Sequence, residues 1–183
     1  MDTCTKVFLR RKEISGGRLS LYLDFYPPIR NPHTNPKPRA SHGKRSIMEL
    51  PLFERAVLII KKFETMHHPK HWPYVGYGHQ VQLGEPYHRG VQLTEAQADV
   101  LLRKDLRKFC SLYSKFGKDS VLLGALAYNI GPGAVNKSSV LRLLKSGNRN
   151  IFRAYTSHCH YKGKWHKGLH NRRLTELATL FIP

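Results

Sequence analysis

The sequence predicts a mainly α protein of the α+β kind, with helices packed around one central apolar helix and a small β region beside them. Three observations carry this expectation. Segments starting near Glu49, Thr94 and Leu169 repeat apolar side chains at three- and four-residue spacings, the signature of a helix with one buried face. The run VLLGALAYNI, from Val121 to Ile130, is apolar on nearly every side, as a helix enclosed by others must be. One short stretch, HWPYVGYGHQVQLGE, mixes aromatics with glycines, the composition of strands and tight turns.

Taken in order, Thr5 to Pro28 alternates in the manner of strands and reads as a β-hairpin turning at Gly16 and Gly17. The following IRNPHTNPKPRASHGKRS, with three prolines, has the composition of a linker. A boundary near Ser46 follows, giving a basic hairpin appendage with its linker over residues 1–46 and the main domain over 47–183. From Glu49 a helix aligns Phe53, Ala56, Val57, Ile60 and Phe63 on one face. Glu64 lies on that face near the helix end, since Pro69 follows. After the glycine-aromatic stretch, Thr94-Glu95-Ala96-Gln97 forms a capping box. It opens a helix that turns Ala98, Leu101, Leu102, Leu106, Phe109 and Phe116 inward and stops at Gly117. The central helix has Asp119 or Ser120 as cap and ends at Gly131-Pro132-Gly133. Shorter helices are expected over Ser139–Ser146, Ile151 to about His158, and Leu169 to about Phe181.

The 183 residues carry 31 Lys and Arg against 12 Asp and Glu, a formal charge of +19. That balance favours a polyanionic partner, whether nucleic acid, anionic cell wall or anionic lipid. Cys4, Cys110 and Cys159 are odd in number and widely spaced, so they read as reduced thiols. No apolar run approaches the roughly 20 residues of a membrane helix, and MDTCTKVFLRRKE lacks the apolar core of a signal peptide. The expectation is synthesis in the cytoplasm, with any action on the cell wall following release or assisted export.

Glu64 is the most informative single residue. A carboxyl group on an apolar face at a helix C-terminus is desolvated and meets the negative end of the helix dipole, and both favour its protonated form. A protonated carboxylic acid near neutral pH is what protonates a departing sugar oxygen. The bland alternative is a Glu that turns to solvent or pairs with Lys61 or Lys62. His67, His68, His71 and His79 invite a metal, but no HExxH spacing exists and Pro69 keeps the first three off one regular helix, so neither metal nor cofactor is expected.

FETMHHPKHWPYVGYGH resembles the catalytic segment of phage-type lysozymes, glycoside hydrolase family 24, in which a helix-ending Glu precedes a β region closing in Gly-x-Gly-His. Those positions are Glu64, Gly76, Gly78 and His79. The similarity continues through LTEAQADVLLRKDL and ALAYNIGPGAVNKSSVLRLLKSG to GLHNRRLTELATLF, so it covers residues 49–181 in order. It implies a lysozyme-like fold and hydrolysis of β-1,4 bonds between N-acetylmuramic acid and N-acetylglucosamine. It also implies Glu64 as general acid, bacterial peptidoglycan as partner, a monomer, and a prophage or mobile-element setting. His79, Tyr128, Asn129 and Arg172 are then expected to bind substrate. Their plainer readings are a histidine bridging the β region, residues finishing the central helix, and an exposed ion pair of Arg172 and Arg173 with Glu176.

The family's second carboxylate and threonine have no counterpart here. Residues 65–75 contain no Asp or Glu, and Tyr74 stands where the threonine is expected. Inverting enzymes keep an acid and a base roughly 6.5 to 9.5 Å apart. Three groups could replace the base: His71 as a neutral imidazole, Tyr74 orienting a water, or Glu85 from the following loop, with His71 the first choice. A glycan-binding module without catalysis, and a basic nucleic-acid-binding protein, are the alternative functions. The latter draws on residues 5–32, which include VFLRRKEISGGRLSLYLDFYPPIRNP and resemble the start of the arm-type DNA-binding domain of Bacteroides-type tyrosine recombinases. That resemblance implies weak non-specific phosphate contacts by Arg10, Arg11, Lys12, Arg18 and Arg30.

Overall fold

Residues 6–14, 18–26 and 45–183 are described by a computed structural model of the chain. Contacts divide the chain into two units, residues 1–51 and Leu52–Pro183. In the first, β1 (Lys6–Ile14) pairs antiparallel with β2 (Arg18–Tyr26), from Lys6↔Tyr26 to Ile14↔Arg18. A two-residue β3 (Arg45–Ser46) adds to β2 opposite Tyr22 and Leu23. The two long strands stand where the alternation places them. The turn at Gly16 and Gly17, the proline-rich stretch through residue 44 and Cys4 lie outside the described residues. Ser46 ends a strand and caps a 3-10 turn over Ile47–Glu49, accepting from the Met48 N–H while Glu49 accepts from the Ser46 N–H.

The second unit is helical. α1 (Leu52–Glu64) begins later than the sequence pattern suggests, because Pro51 holds Leu50 extended at φ −82°, ψ 153°. It buries Ala56, Val57, Ile59 and Ile60. A 3-10 turn at Pro69–His71 leads into the small hairpin of β4 (Tyr74–Val75) and β5 (His79–Gln80). α2 (Glu95–Leu112) opens on the expected capping box: Thr94 Oγ1 accepts from the Gln97 N–H and Gln97 Oε1 accepts from the Thr94 N–H. It ends short of Gly117. Tyr113, only 2% exposed, leaves the helical path and points its hydroxyl at the Pro132 carbonyl and Asn136. The chain then makes a 3-10 turn around Gly117 at φ 53°, so Phe116 sits in that turn and not on the inner face of α2.

α3 (Ser120–Ile130) is buried continuously from Leu122 to Ala127 and packs against α1, α2 and the last helix, which makes it the central helix. Asp119 does not cap it, because that carboxylate is taken by Arg149 at 2.5 and 3.0 Å. Gly131 ends α3 at φ 82°, and Pro132 starts α4 (Pro132–Lys137) at once, Pro being suited to a first helical position where no N–H is needed. α5 (Ser139–Lys145) and α6 (Phe152–Thr156) follow. A second tight hairpin, β6 (His160–Tyr161) with β7 (Lys164–Trp165), precedes α7 (Lys167–Leu180). This hairpin escapes a periodicity reading because two residues per strand show no period.

Cys110 and Cys159 are unbridged thiols. Cys110 marks a close helix crossing. A Cβ on Gly124 of α3 would lie 2.6 Å from Cys110 Sγ and 3.0 Å from its backbone nitrogen, so α2 and α3 meet backbone to backbone. Gly124→Ala is expected to cost about 1 to 3 kcal/mol by overpacking, read as a lower urea midpoint. Adding Cys110→Ala should recover only part of that loss, because the backbone nitrogen remains in the way.

Candidate active site

α1 delivers Glu64 as its last residue, and the chain turns sharply there because Thr65 adopts φ 54°, a left-handed conformation that costs a β-branched residue roughly 1 to 2 kcal/mol. Beyond it lies a cavity of about 400 Å³ lined by Glu64, Thr65, Met66, His67, His71, Trp72 and Tyr74, a volume suited to a small organic group. The structure thus brings Glu64, His71 and Tyr74 to one cavity. It adds Thr65, which no sequence pattern singled out, and His67, which the sequence raised only among four histidines weighed as metal ligands.

The setting of Glu64 differs from the apolar one that its helix face implied. Arg172 Nη1 on α7 donates to Glu64 Oε1, and Asn129 Nδ2, at the end of α3, approaches the same oxygen at 3.4 Å. Asn129 is itself oriented by Arg173, whose Nη2 donates to Asn129 Oδ1 at 2.8 Å. The other oxygen, Oε2, lies 3.5 Å from the point that a Cβ on Gly78 would occupy, and His67 Cε1 lies 3.8 Å from that same point. Gly78 therefore leaves open the space between Oε2 and the His67 ring. With Oε1 engaged by two donors, Oε2 is the oxygen free to carry and give up a proton.

Hydrogen bonding fixes which nitrogen of each cavity histidine bears hydrogen. His67 Nδ1 lies 3.3 Å from the Gly76 carbonyl oxygen, which can only accept, so Nδ1 carries the hydrogen and Nε2 of the neutral ring keeps its lone pair. The His67 backbone N–H donates to the same carbonyl at 2.8 Å. His71 has the opposite arrangement. Its Nδ1 accepts from the His68 N–H at 3.1 Å, so the neutral ring carries hydrogen on Nε2 and offers a donor. Desolvation, with smaller contributions from His67, Lys70 and His68, lowers the His71 pKa and so favours the neutral ring.

All four residues expected to bind substrate have partners within the protein. Arg172 is 2% exposed and holds Glu64 and Glu176. Asn129 holds Glu64. Tyr128 donates to the Tyr77 carbonyl at 2.9 Å, and burial pushes its pKa up, keeping it a neutral donor. His79 is clamped: Nδ1 lies 2.6 Å from Asp105 and Nε2 lies 2.7 Å from Glu85. The plainer reading of His79, a bridge across the β region, is the one that fits this geometry. Glu85, which also accepts from the Gln82 N–H at 2.8 Å, is committed to that bridge. Arg172, Arg173 and Glu176 do not form an exposed ion pair, for Glu176 and Arg173 are 0% exposed.

Only the imidazolium has a hydrogen on each nitrogen, so the two carboxylates favour protonated His79. Its pKa rises above 6.5, first through the Asp105 hydrogen bond and with Glu85 adding to it against desolvation. Glu85 falls below 4.5, chiefly through the Gln82 N–H and then through His79. By linkage, the His79 contribution to stability is complete below 6.5 and is lost as pH rises through its raised value. The Glu85 contribution is complete above 4.5 and is lost as pH falls through its lowered value. Thermal midpoints of native protein and His79→Gln should therefore differ most near about pH 5.5 and converge toward alkaline pH.

Residues 61–176 match the family model for phage lysozyme. The endolysin of Bacillus phage PZA is 33% identical over 128 residues, 66% of this chain and 48% of that protein. The endolysin of Bacillus phage B103 is 33% identical over 115 residues, 59% of this chain and 42% of that protein. The chain thus spans about half the length of the endolysins it matches. Among solved structures, the endolysin from Escherichia coli O157:H7 phage FAHEc1 aligns with a TM-score of 0.59 at 26% identity, covering 72% of this chain and 94% of that one. The muramidase domain of SpmX from Asticaccaulis excentricus aligns with a TM-score of 0.58 at 24% identity, covering 70% and 95%. The family match begins at residue 61, so the recombinase-like resemblance of residues 5–32 lies outside it.

Proposed function

The chain belongs to the phage lysozyme family, and from that premise we propose that it hydrolyses the β-1,4 bond between N-acetylmuramic acid and N-acetylglucosamine in peptidoglycan. The observation that carries the reading is Glu64 at the cavity wall with Oε1 held by Arg172 and Asn129 and Oε2 open. Glu64 Oε2–H gives its proton to the glycosidic oxygen as that bond breaks. A water then needs a base. Geometry favours His67 over His71, because Nε2 of neutral His67 has a lone pair to accept a proton while the Gly76 carbonyl stabilises Nδ1–H of the resulting imidazolium. His71 and Tyr74 contribute donors on the same wall. Water addition opposite the departing sugar inverts the anomeric centre.

Among the described residues, no second carboxylate lines the cavity, and this favours, as a second reading, a module that binds glycan without cutting it. Release of reducing ends from purified peptidoglycan separates the two. The muramidase should release them, with the α anomer as first product by proton NMR, and His67→Ala should lower kcat by about 10² to 10⁴ while KM holds. His71→Ala should have the smaller effect. Binding without release at any pH establishes the second reading. Action on the wall after release from the cell, and weak non-specific contact of residues 5–32 with nucleic-acid phosphates, complete the proposal. Among the described residues, no helix is long and apolar enough to cross a membrane.

A further inference from the structure

The chain contains no Asp or Glu from Ser120 to Thr175. Within that stretch Lys137, Arg142, Lys145, Arg153, Lys162, Lys164 and Lys167 are all exposed. The arginines that do meet carboxylates, Arg149, Arg172 and Arg173, reach Asp119, Glu64 and Glu176. The formal charge is therefore polarised toward this part of the helical unit, and the β6–β7 hairpin concentrates it. Every residue from His160 to Lys167 is exposed, including Tyr161 at 61% and Trp165 at 57%. Large aromatics that a fold leaves in solvent beside exposed cations, here with Lys162 Nζ 5.5 Å from the Tyr161 ring centroid, suit a ligand with apolar faces and negative charge.

Register limits what that ligand can be. Tyr161 pairs with Lys164 and His160 with Trp165. Directly opposed residues share a face of the ribbon and successive residues alternate, so Tyr161 with Lys164 and Trp165 with His160 occupy opposite faces. Lys162 and Gly163, both at positive φ, make the tight turn that holds the ribbon in this form. A flat lipid surface meets one face of a ribbon at a time, whereas a flexible polymer can wrap both. The hairpin also runs directly into α7, and Arg172, which bonds Glu64, follows Lys167 by five residues, about 7.5 Å along a helix. A chain held by the hairpin is consequently held at the start of the helix that carries Arg172 to Glu64.

We propose that the β6–β7 hairpin is a second binding site, separate from the cavity, for a flexible phosphodiester polymer attached to the wall glycan. Lys162, Lys164 and Lys167 meet its phosphates, and Tyr161 and Trp165 pack on its sugar or polyol units. The assignment of the polymer to the wall, and not to nucleic acid, rests on the muramidase reading of the adjacent cavity. The site tethers the enzyme to its substrate.

Full-length protein is titrated against wall sacculi that carry a phosphodiester polymer and against the same sacculi stripped of it with hydrofluoric acid. Native protein should bind the unstripped sacculi at least about tenfold more tightly, with an affinity that falls linearly on a log-log salt plot as counterions are released. Lys162→Glu with Lys164→Glu, and separately Tyr161→Ser with Trp165→Ser, should abolish that difference while leaving cleavage of a soluble glycan oligomer unchanged. Equal binding to both sacculi overturns the proposal. Tighter binding by the hairpin to single-stranded DNA overturns it in favour of nucleic acid, and tighter binding to phosphatidylglycerol vesicles overturns it in favour of lipid. The soluble oligomer reports on the muramidase reading independently: its survival uncut removes that reading, while the two sacculi still decide whether the hairpin binds the polymer.

Discussion

Glu64→Gln lowers the rate of peptidoglycan cleavage by about 10³-fold or more, at the upper part of the range for loss of a general acid, and leaves substrate affinity nearly unchanged. The substitution is isosteric. The amide oxygen can still accept from Arg172 Nη1 and Asn129 Nδ2, and Arg172 keeps a counter-charge in Glu176 Oε1 at 2.9 Å. What the variant lacks is a proton it can release from the second position. Because the sugar would then depart as an alkoxide, the deficit falls on kcat and not on KM. Reducing-end release and sedimentation with the polymer, measured on the same preparations, check both halves. A variant keeping more than about a tenth of native activity would place the acid elsewhere, since that exceeds what a residual binding and positioning effect supplies.

The residues around Glu64 show how far a sequence reaches. Its place on the α1 face and at the helix end could be read from Val57, Ile60 and Pro69, because periodicity and a helix breaker are local signals. The Thr94 capping box and the apolar run of α3 were legible for the same reason. Arg172, Asn129 and Arg173 as the holders of Glu64 were not, for the ion pair joins positions 108 apart in sequence, and nothing local distinguishes a buried arginine from one on a solvated helix face. The apolar pocket inferred for Glu64 was misjudged accordingly: its helix face is apolar, but α7 brings a guanidinium to it. His67 illustrates a finer limit. Its difference from His71 is one of tautomer, set by whether Nδ1 meets a carbonyl or an N–H, and tertiary contact alone determines that. Tyr113 and Gly117 show the competing case, in which the burial of one tyrosine ends a helix that spacing would have continued.

The largest loss of stability is expected at Glu176. Oε1 accepts from Arg172 Nε, while Oε2 accepts from the Tyr155 hydroxyl at 2.8 Å and faces Arg173 Nη1 at 3.3 Å. Tyr155, Arg173 and Glu176 are all 0% exposed, and Arg173 Nε and Nη1 have no hydrogen-bond partner of their own. Glu176 is thus the carboxylate that faces Arg173, and Glu176→Leu leaves that guanidinium buried without a counter-charge. Breaking such a pair by removing one partner costs about 3 to 5 kcal/mol, against a total of roughly 5 to 15 for a typical domain. The urea midpoint should fall by about a third or more of its native value if the total lies mid-range. Removing the cation as well, in Glu176→Leu with Arg173→Met, should recover much of the loss, because a packed apolar pair of similar volume replaces a buried ion pair at little net cost. Recovery in the double variant identifies the uncompensated charge as the cause. A single variant as stable as native protein would mean that Arg173 is solvated in solution and that its hold on Asn129, and through it on Glu64, is looser than the geometry requires.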